Sequence, residues 1–271
     1  MPHNIEQTLA TLINGVQQAG ARVRELVRDG FEVQTKADHS PVTTVDHEVN
    51  RILHNMQRLE FPSDSWLSEE SPDDLARLDN DRVWIIDPID GTRALINRVP
   101  DFCISAALIE RGVPIVAAIL NPSTNELFTA VRGGGLFVNG VRVTLAPLHH
   151  LSPIIMVSAK EFRIDRWSTL AKTGQCRPMY SIAHALALVA TGRVQAALTI
   201  DPEHEWDVAA GVLLIEEGGG TVSDGAGKPF LFNQPLPAFS GVIAVAATAN
   251  QDLRTTLRVH AEQAHLHPER K

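Results

Sequence analysis

Apolar residues recur every three or four positions between residues 4 and 29, at Ile5, Leu9, Leu12, Ile13, Val16, Ala19, Val23, Leu26 and Val27. That period predicts an amphipathic helix, and Gly30 ends it. A polar loop, Gln34 to Pro41, follows. Val45, Val49, Ile52, Leu53, Met56 and Leu59 predict a second helix from Thr44 to about Leu59, with Thr43 or Thr44 capping its start. The pattern then changes. Residues 83–86 form an unbroken apolar run, the mark of a buried strand. Phe102–Ile109, Ile115–Leu120, Leu127–Val131 and Phe137–Val143 continue as strands, punctuated by Arg111-Gly112, Asn121-Pro122 and Asn139-Gly140. Such spacing predicts antiparallel hairpins. Prolines and polar residues interrupt the chain from Ala146 to Pro153, the expected boundary between two halves. Beyond it, Ile154–Val157 reads as strand, Ile164–Ala171 and Ile182–Thr191 as helices, and Val194–Ile200 as strand. Val208–Glu217 reads as a helix ended by Gly218-Gly219-Gly220, Val242–Ala246 as a strand, and Gln251 to about Gln263 as a last helix. Alternating elements predict an α/β second half. The histidine-containing tail is expected to be frayed.

The chain has 271 residues, enough for a sizeable core in one large unit or two modest ones. With 44% hydrophobic and 21% charged residues it has the composition of an ordinary globular protein. A formal net charge of -8 argues against a nucleic-acid polymer or an anionic membrane surface as the main partner. A small anionic substrate stays open, because metals can invert the local sign. The only cysteines are Cys103 and Cys176, so a reducing compartment is the default. Met1 to Leu12 has neither a basic segment nor an unbroken apolar stretch, and no run approaches the ~20 residues of a membrane span. The cytoplasm is the expected location.

The chemistry concentrates where the run Trp84-Ile85-Ile86 stops at Asp87-Pro88-Ile89-Asp90-Gly91-Thr92. Acids three positions apart and split by a proline are placed to hold hard cations. Beside Gly91 and Thr92 they are placed to meet a phosphate. Other acidic elements are Glu69-Glu70 after Trp66-Leu67, Asp207 after Trp206, and Asp46 at the start of the second helix. Singly, each reads first as a solvated or helix-capping acid. Haloacid-dehalogenase-type phosphatases carry a similar acidic loop after a strand. Their acids are separated by one residue rather than two, which excludes that reading.

Together, Glu69-Glu70-Ser71, Asp87-Pro88-Ile89-Asp90-Gly91-Thr92 and Trp206-Asp207-Val208-Ala209-Ala210-Gly211, with Glu217-Gly218-Gly219 after them, resemble the inositol monophosphatase family. Pro41-Val42-Thr43-Thr44-Val45-Asp46 fits that family's upstream signature. The resemblance runs from about Gln34 to Ala246. It implies an α/β, αβαβα-layered fold of two pseudo-domains, residues 1–148 with the metal site and residues 149–271 supplying Asp207 and substrate contacts. It implies a Mg²⁺-dependent, lithium-sensitive phosphomonoesterase, a homodimer, acting on a small phosphorylated metabolite by direct attack of water. Glu69, Asp87 and the Ile89 carbonyl would hold one Mg²⁺. Asp87, Asp90 and Asp207 would hold a second, and a third would sit near Glu69 through waters. Thr92 would orient the water and Asp46 would accept the threonine's proton, with Glu70 supporting either Glu69 or a metal-bound water. Amides of Gly91 and Thr92 would face phosphate oxygens. The loop with Lys36 and Asp38 would close over the site, where otherwise it is an ordinary solvated loop.

Substrate contacts are less regular. Ser181 stands where the family has a Gly-Ser pair, but Tyr180 replaces the glycine; Ser181 would bind a substrate hydroxyl or cap a helix. The family's inositol-reading glutamate falls on Ile200, with Asp201 beside it. Glu205-Trp206-Asp207 and Arg93 look more like the branch that removes the 3′-phosphate from 3′-phosphoadenosine 5′-phosphate, with Arg93 meeting a second anion or an exposed acid. His204 is expected at the rim and Trp206 as a packing anchor. His149-His150 lacks the spacing of a zinc site. Three readings therefore stand: an inositol-phosphate-type phosphatase, a bisphosphate nucleotidase, and a non-catalytic sugar-phosphate binder. The complete set of Glu69, Asp87, Asp90, Thr92 and Asp207 argues against the last.

Overall fold

In the computed structural model, residues 4–145, 153–164, 167, 170–172, 175–249, 252–253, 255–257 and 259 are described. Asn4 caps the first helix, α1 (Ile5–Asp29), by accepting from the Glu6 amide. The expected polar loop carries a short hairpin, β1 (Val33–Thr35) against β2 (Pro41–Thr43). Thr43 caps α2 (Thr44–Glu60), and Asp46 answers from the third helical position to close a capping box. Then come β3 (Ser65–Ser68), β4 (Arg82–Asp90) and a short helix α3 (Thr92–Ile96). The meander β5 (Cys103–Glu110), β6 (Val113–Asn121), β7 (Glu126–Val131), β8 (Gly135–Val138) and β9 (Val141–Arg142) follows. These strands form one seven-stranded sheet in the order β3 to β9. Only the β3–β4 pair is parallel.

The second half contains β10 (Ile154–Ser158), α4 (Ala159–Arg163), β11 (Gln175–Met179), α5 (Ile182–Ala190), β12 (Ala196–Thr199) and β13 (Glu203–His204). It continues with α6 (Glu205–Glu217), β14 (Thr221–Asp224), β15 (Ala238–Phe239) and β16 (Val242–Val245). A five-stranded mixed sheet runs β11-β10-β12-β16-β14, and β13 pairs with β15 apart from it.

Burial explains the layering. On β4, Trp84 and Ile86 face α1 and α2 with Leu12, Val16, Val49 and Leu53. The alternate residues Val83 and Ile85 face α5 and α6 with Leu186 and Leu213. A strand buried on both faces reads as a continuous apolar run, which is why its period of two was invisible. Helices α5 and α6 also pack on the second sheet through Ala197 and Ala244, so they are apolar all round. A Cβ at Gly211 would lie 2.5 Å from Leu186, so α5 and α6 meet at a distance only glycine allows. Trp167, Leu170, Leu253 and Leu257 cover the far face of the second sheet. The result is the expected α/β sandwich, αβαβα.

Several expectations need correction. The strand at 83–86 extends to Asp90 with a register shift between Asp87 and Asp90, so the acids lie within the strand's irregular end. Of the helix expected over 164–171, the described residues Ile164 and Trp167 are not helical, and Leu170–Lys172 form a single 3-10 turn. Helical residues lie earlier, in α4, and Trp167 instead donates its Nε1–H to buried Glu161, 2.8 Å away. Ile164, the expected start of that helix, is exposed, as is Phe162 in α4. Segment 137–143 is divided by Asn139-Gly140, both with positive φ. The last helix includes residues 252–253, 255–257 and 259. Residues 146–152 of the expected boundary, the His149-His150 pair and the tail after Gln263 lie outside the described residues. Cys103 and Cys176 are both free thiols. Among the described residues no helix is long and apolar enough to cross a membrane.

Candidate active site

Segments distant in sequence meet at the irregular end of β4. Carboxylate oxygens of Asp87, Asp90 and Asp207 all lie within 4.8 Å of one another. Asp87 is fixed by its own turn, its Oδ1 accepting from the Ile89 amide at 2.9 Å. Asp90 is fixed from the other half of the chain. Its Oδ2 accepts from Ser181 Oγ at 2.7 Å and from the Ala183 amide at 2.6 Å, at the start of α5. Asp207 stands in the first turn of α6 and accepts from the His204 amide at 2.6 Å. Each acid is thus oriented by one oxygen, which leaves the other available to a ligand.

Thr92 begins α3 and donates its hydroxyl to Asp46 Oδ1 at 3.0 Å, with the Ile89 carbonyl an alternative acceptor at 3.1 Å. The other oxygen of Asp46 holds the start of α2 through the Thr43 amide. The capping box therefore aims this acid at Thr92. Gly91 enters α3 with φ +93°, and a Cβ there would sit 2.9 Å from the Asp101 carbonyl oxygen. Backbone on one side and a left-handed conformation on the other exclude a side chain. Gly91→Ala is expected to cost about 1–3 kcal/mol of stability, read as a lower urea midpoint, and to lower activity by displacing Thr92.

Glu69 and Glu70 follow β3. Lys36, from the β1–β2 hairpin, reaches both, at 2.8 Å and 2.5 Å. The hairpin does lean over the acidic cluster, but through Lys36. Asp38 instead accepts from Ser40 within its own turn.

This much negative charge is costly without cations. Burial first, then Glu69, Asp90 and Asp207, hold the Asp87 carboxyl well above the usual range. Burial and Asp207 do the same to Asp90, against the bonds from Ser181 and Ala183. Burial pushes Glu69 up to about 7, with Lys36 opposing and Glu70 and Asp207 adding to it. Burial also raises Asp46. For Lys36, burial would lower the pKa, but its bonds to Glu69 and Glu70 win and raise it. The pair thus rises on both sides: Lys36 stabilises Glu69, and desolvation outweighs that gain. Buried carboxylates converging with a carbonyl oxygen nearby fit a hard divalent cation.

The remaining expected contacts divide. Ser181 is fully buried, capping α5 at the His184 amide and donating to Asp90, so its hydroxyl faces the protein rather than an incoming ligand. Arg93 is exposed and has no side-chain partner among the described residues. Asp201 pairs with Lys160 at 2.9 Å. His204 stacks on Trp206 at the rim, centroids 4.6 Å apart, and Trp206 also accepts from Ser105 through its carbonyl. Sequence reasoning missed the Asp101 clamp, in which Oδ1 meets His184 Nδ1 and Oδ2 accepts the Tyr180 amide, both at 2.8 Å. It also missed the Ala183 amide. No local signal marks either, since both join positions about 80–90 residues apart.

A layered α/β fold that gathers carboxylates at a strand end, beside a threonine-aspartate pair, and its relatives define a phosphatase that hydrolyses phosphomonoesters. The chain belongs to the inositol monophosphatase family, whose profile matches residues 4–263. It is 35% identical over 208 residues to the Nus factor SuhB of Escherichia coli (strain K12), covering 73% of this chain and 77% of that one. It is 32% identical over 237 residues to the inositol-1-monophosphatase of Rhizobium meliloti, covering 82% and 87%. The solved IMPase of Thermotoga maritima superposes with a TM-score of 0.82 at 27% identity, covering 95% and 99%.

Proposed function

We propose that the protein hydrolyses a small phosphorylated metabolite, such as inositol monophosphate, with Mg²⁺ and water. The observation that carries this is the convergence of Asp87, Asp90 and Asp207 beside the Thr92–Asp46 pair. Glu69, Asp87 and the Ile89 carbonyl would hold one cation, and Asp87, Asp90 and Asp207 a second, with Glu69 also serving a third. Mg²⁺ bound there supplies charge neutralisation for the phosphate and acidifies a water. A solved IMPase/NADP phosphatase complexed with Mg²⁺ and phosphate supports that choice of ion.

The chain's own residues do the rest. Thr92 has one proton and two candidate acceptors, Asp46 and the Ile89 carbonyl. When Ile89 serves a cation, the proton goes to Asp46 and the threonine's lone pairs accept from the attacking water. Amides of Gly91 and Thr92 take phosphate oxygens where no Cβ intervenes. Ser181 acts through Asp90 rather than on substrate. Thr92→Val removes the acceptor while keeping the shape, and should lower kcat about 100-fold with cation affinity unchanged by calorimetry.

Arg93 favours a second reading. An exposed guanidinium next to Thr92, without a side-chain partner among the described residues, suits a second phosphate, as in a nucleoside 3′,5′-bisphosphate. Turnover of inositol 1-phosphate, sugar phosphates, histidinol phosphate and 3′-phosphoadenosine 5′-phosphate with Mg²⁺ separates the two. Preference for the nucleotide would sink the inositol label. Lithium inhibition at fixed Mg²⁺ is expected, as is a homodimer by light scattering. The proposed division at residues 148/149 assigns one sheet to each pseudo-domain, with α5 and α6 packed between them.

A further inference from the structure

Asp207 is the proposed cation ligand that comes from the second half of the chain, and the start of α6 sets its place. Residues 232–239 wrap that start as a strap. Within it β15 pairs with β13, and the Pro237 carbonyl accepts from the Glu205 amide at 3.0 Å. The buried Glu205 carboxylate reaches back into the strap. Its Oε2 accepts from the Asn233 amide at 2.7 Å and its Oε1 from the Gln234 amide at 2.8 Å. Both oxygens are engaged, so Glu205 is an anchor two residues ahead of Asp207.

The strap is fastened in turn to the first half of the chain. Arg77 lies in a 3-10 turn, Leu75–Asp79, between β3 and β4, and is only 1% exposed. Its Nη1 donates to Asn233 Oδ1 at 2.7 Å and its Nη2 to the Gln234 carbonyl at 3.0 Å. Asp73 accepts from Nε at 2.7 Å and from Nη2 at 2.9 Å, and Asn233 Nδ2 donates to the Arg77 carbonyl at 3.0 Å. A buried ion pair adds little net stability, because desolvation offsets the attraction. The rigid, planar fork of a guanidinium does fix the orientation of what it holds. Here it holds the two residues that anchor Glu205. The connection carrying Arg77 also begins with Glu69 and Glu70, so the clamp joins the chain behind Glu69 to the chain ahead of Asp207.

We propose that Arg77 is a positioning residue for the cation site. Through Asn233, Gln234 and Glu205 it holds Asp207 beside Asp87 and Asp90, while touching neither cation nor substrate itself. The proposal rests on the cation site of the phosphatase reading.

The test measures Mg²⁺ binding by calorimetry, and the Mg²⁺ dependence of p-nitrophenyl phosphate hydrolysis, well below the melting temperature. Asn233 has φ +61°, so Asn233→Gly keeps that backbone and its amide to Glu205 while removing both side-chain bonds to Arg77. Arg77→Lys keeps the charge and loses the fork. Leu257→Ala, on the outer face of the second sheet, lowers stability away from the clamp. Asn233→Gly and Arg77→Lys should each weaken Mg²⁺ binding about tenfold and raise the Mg²⁺ needed for half-maximal turnover alike, with kcat at saturating Mg²⁺ within about threefold of wild type. Leu257→Ala should melt lower and bind Mg²⁺ like wild type. In an Asp207→Asn background, Asn233→Gly should weaken binding no further. Unchanged affinity in Asn233→Gly, the same weakening in Leu257→Ala, or full additivity with Asp207→Asn assigns Arg77 to stability alone and overturns the proposal. Should Arg77→Lys fail to fold, Asn233→Gly decides. A wild type that binds Mg²⁺ but hydrolyses no phosphomonoester overturns the phosphatase reading, and calorimetry still decides the clamp. A wild type that binds no Mg²⁺ overturns both.

Discussion

Asp90→Asn is expected to lower kcat/KM by about 10³-fold while leaving the fold intact. One oxygen of Asp90 is held by Ser181 and the Ala183 amide, and an asparagine carbonyl can keep both bonds. The amide nitrogen then points where the cation should lie, and it cannot coordinate. Loss of one anionic ligand from a two-cation clamp is worth several kcal/mol at the transition state, hence the magnitude. The same change removes a charge that burial and Asp207 make costly. Cation-free Asp90→Asn should therefore melt no lower than wild type at pH 8. Wild-type turnover in this variant would sink the site assignment. A collapsed melting temperature would show instead that the charge at Asp90 is needed for folding.

The second large effect joins cation removal to pH. Chelation should abolish turnover, and the chelated protein should lose stability as pH rises from about 5 to 8. Asp46, Glu69, Asp87 and Asp90 all hold protons to higher pH folded than unfolded. The folded state is then the more protonated across a window opening near the ordinary carboxylate pKa of about 4 and reaching about 7 for Glu69, so rising pH favours unfolding. His204, raised by its bond to Asp207, adds in the same direction. Acids lowered by arginine, such as Asp73, titrate below this window. A fall in melting temperature of roughly 5–10 °C is expected by calorimetry, corresponding to a few kcal/mol. Added Mg²⁺ should recover more at pH 8 than at pH 5. Equal shifts at both values would mean that the cation does not bind these acids.

Much of this was readable because it is local. The Thr43–Asp46 capping box lies within four residues, and its consequence for Thr92 follows once Asp46 is aimed. The turn from Asp87 to Thr92 carries its own geometry, with Asp87 bonded to the Ile89 amide and Gly91 left-handed. Helices α1 and α2 were legible because each buries one stripe. The strand extension to Asp90, the short β11 and β14, and the shift from 164–171 to α4 were not, because burial on both faces or individual anchors such as Trp167 erase a regular period. Ser181 shows the same limit at the site. Its position was recognisable, but whether its hydroxyl met substrate or Asp90 depended on a residue 91 positions away.

The sequence by itself determined the acidic residue types at the turn from Asp87 to Thr92 and the family, since residue types and short spacings within motifs set those. The tertiary structure alone decided which oxygen of each acid is held by the protein, that Asp46 meets Thr92, and that Lys36 lies across Glu69 and Glu70. The reason is physical: orientation and charge compensation come from groups brought together by layer packing, and chain distance carries no record of them.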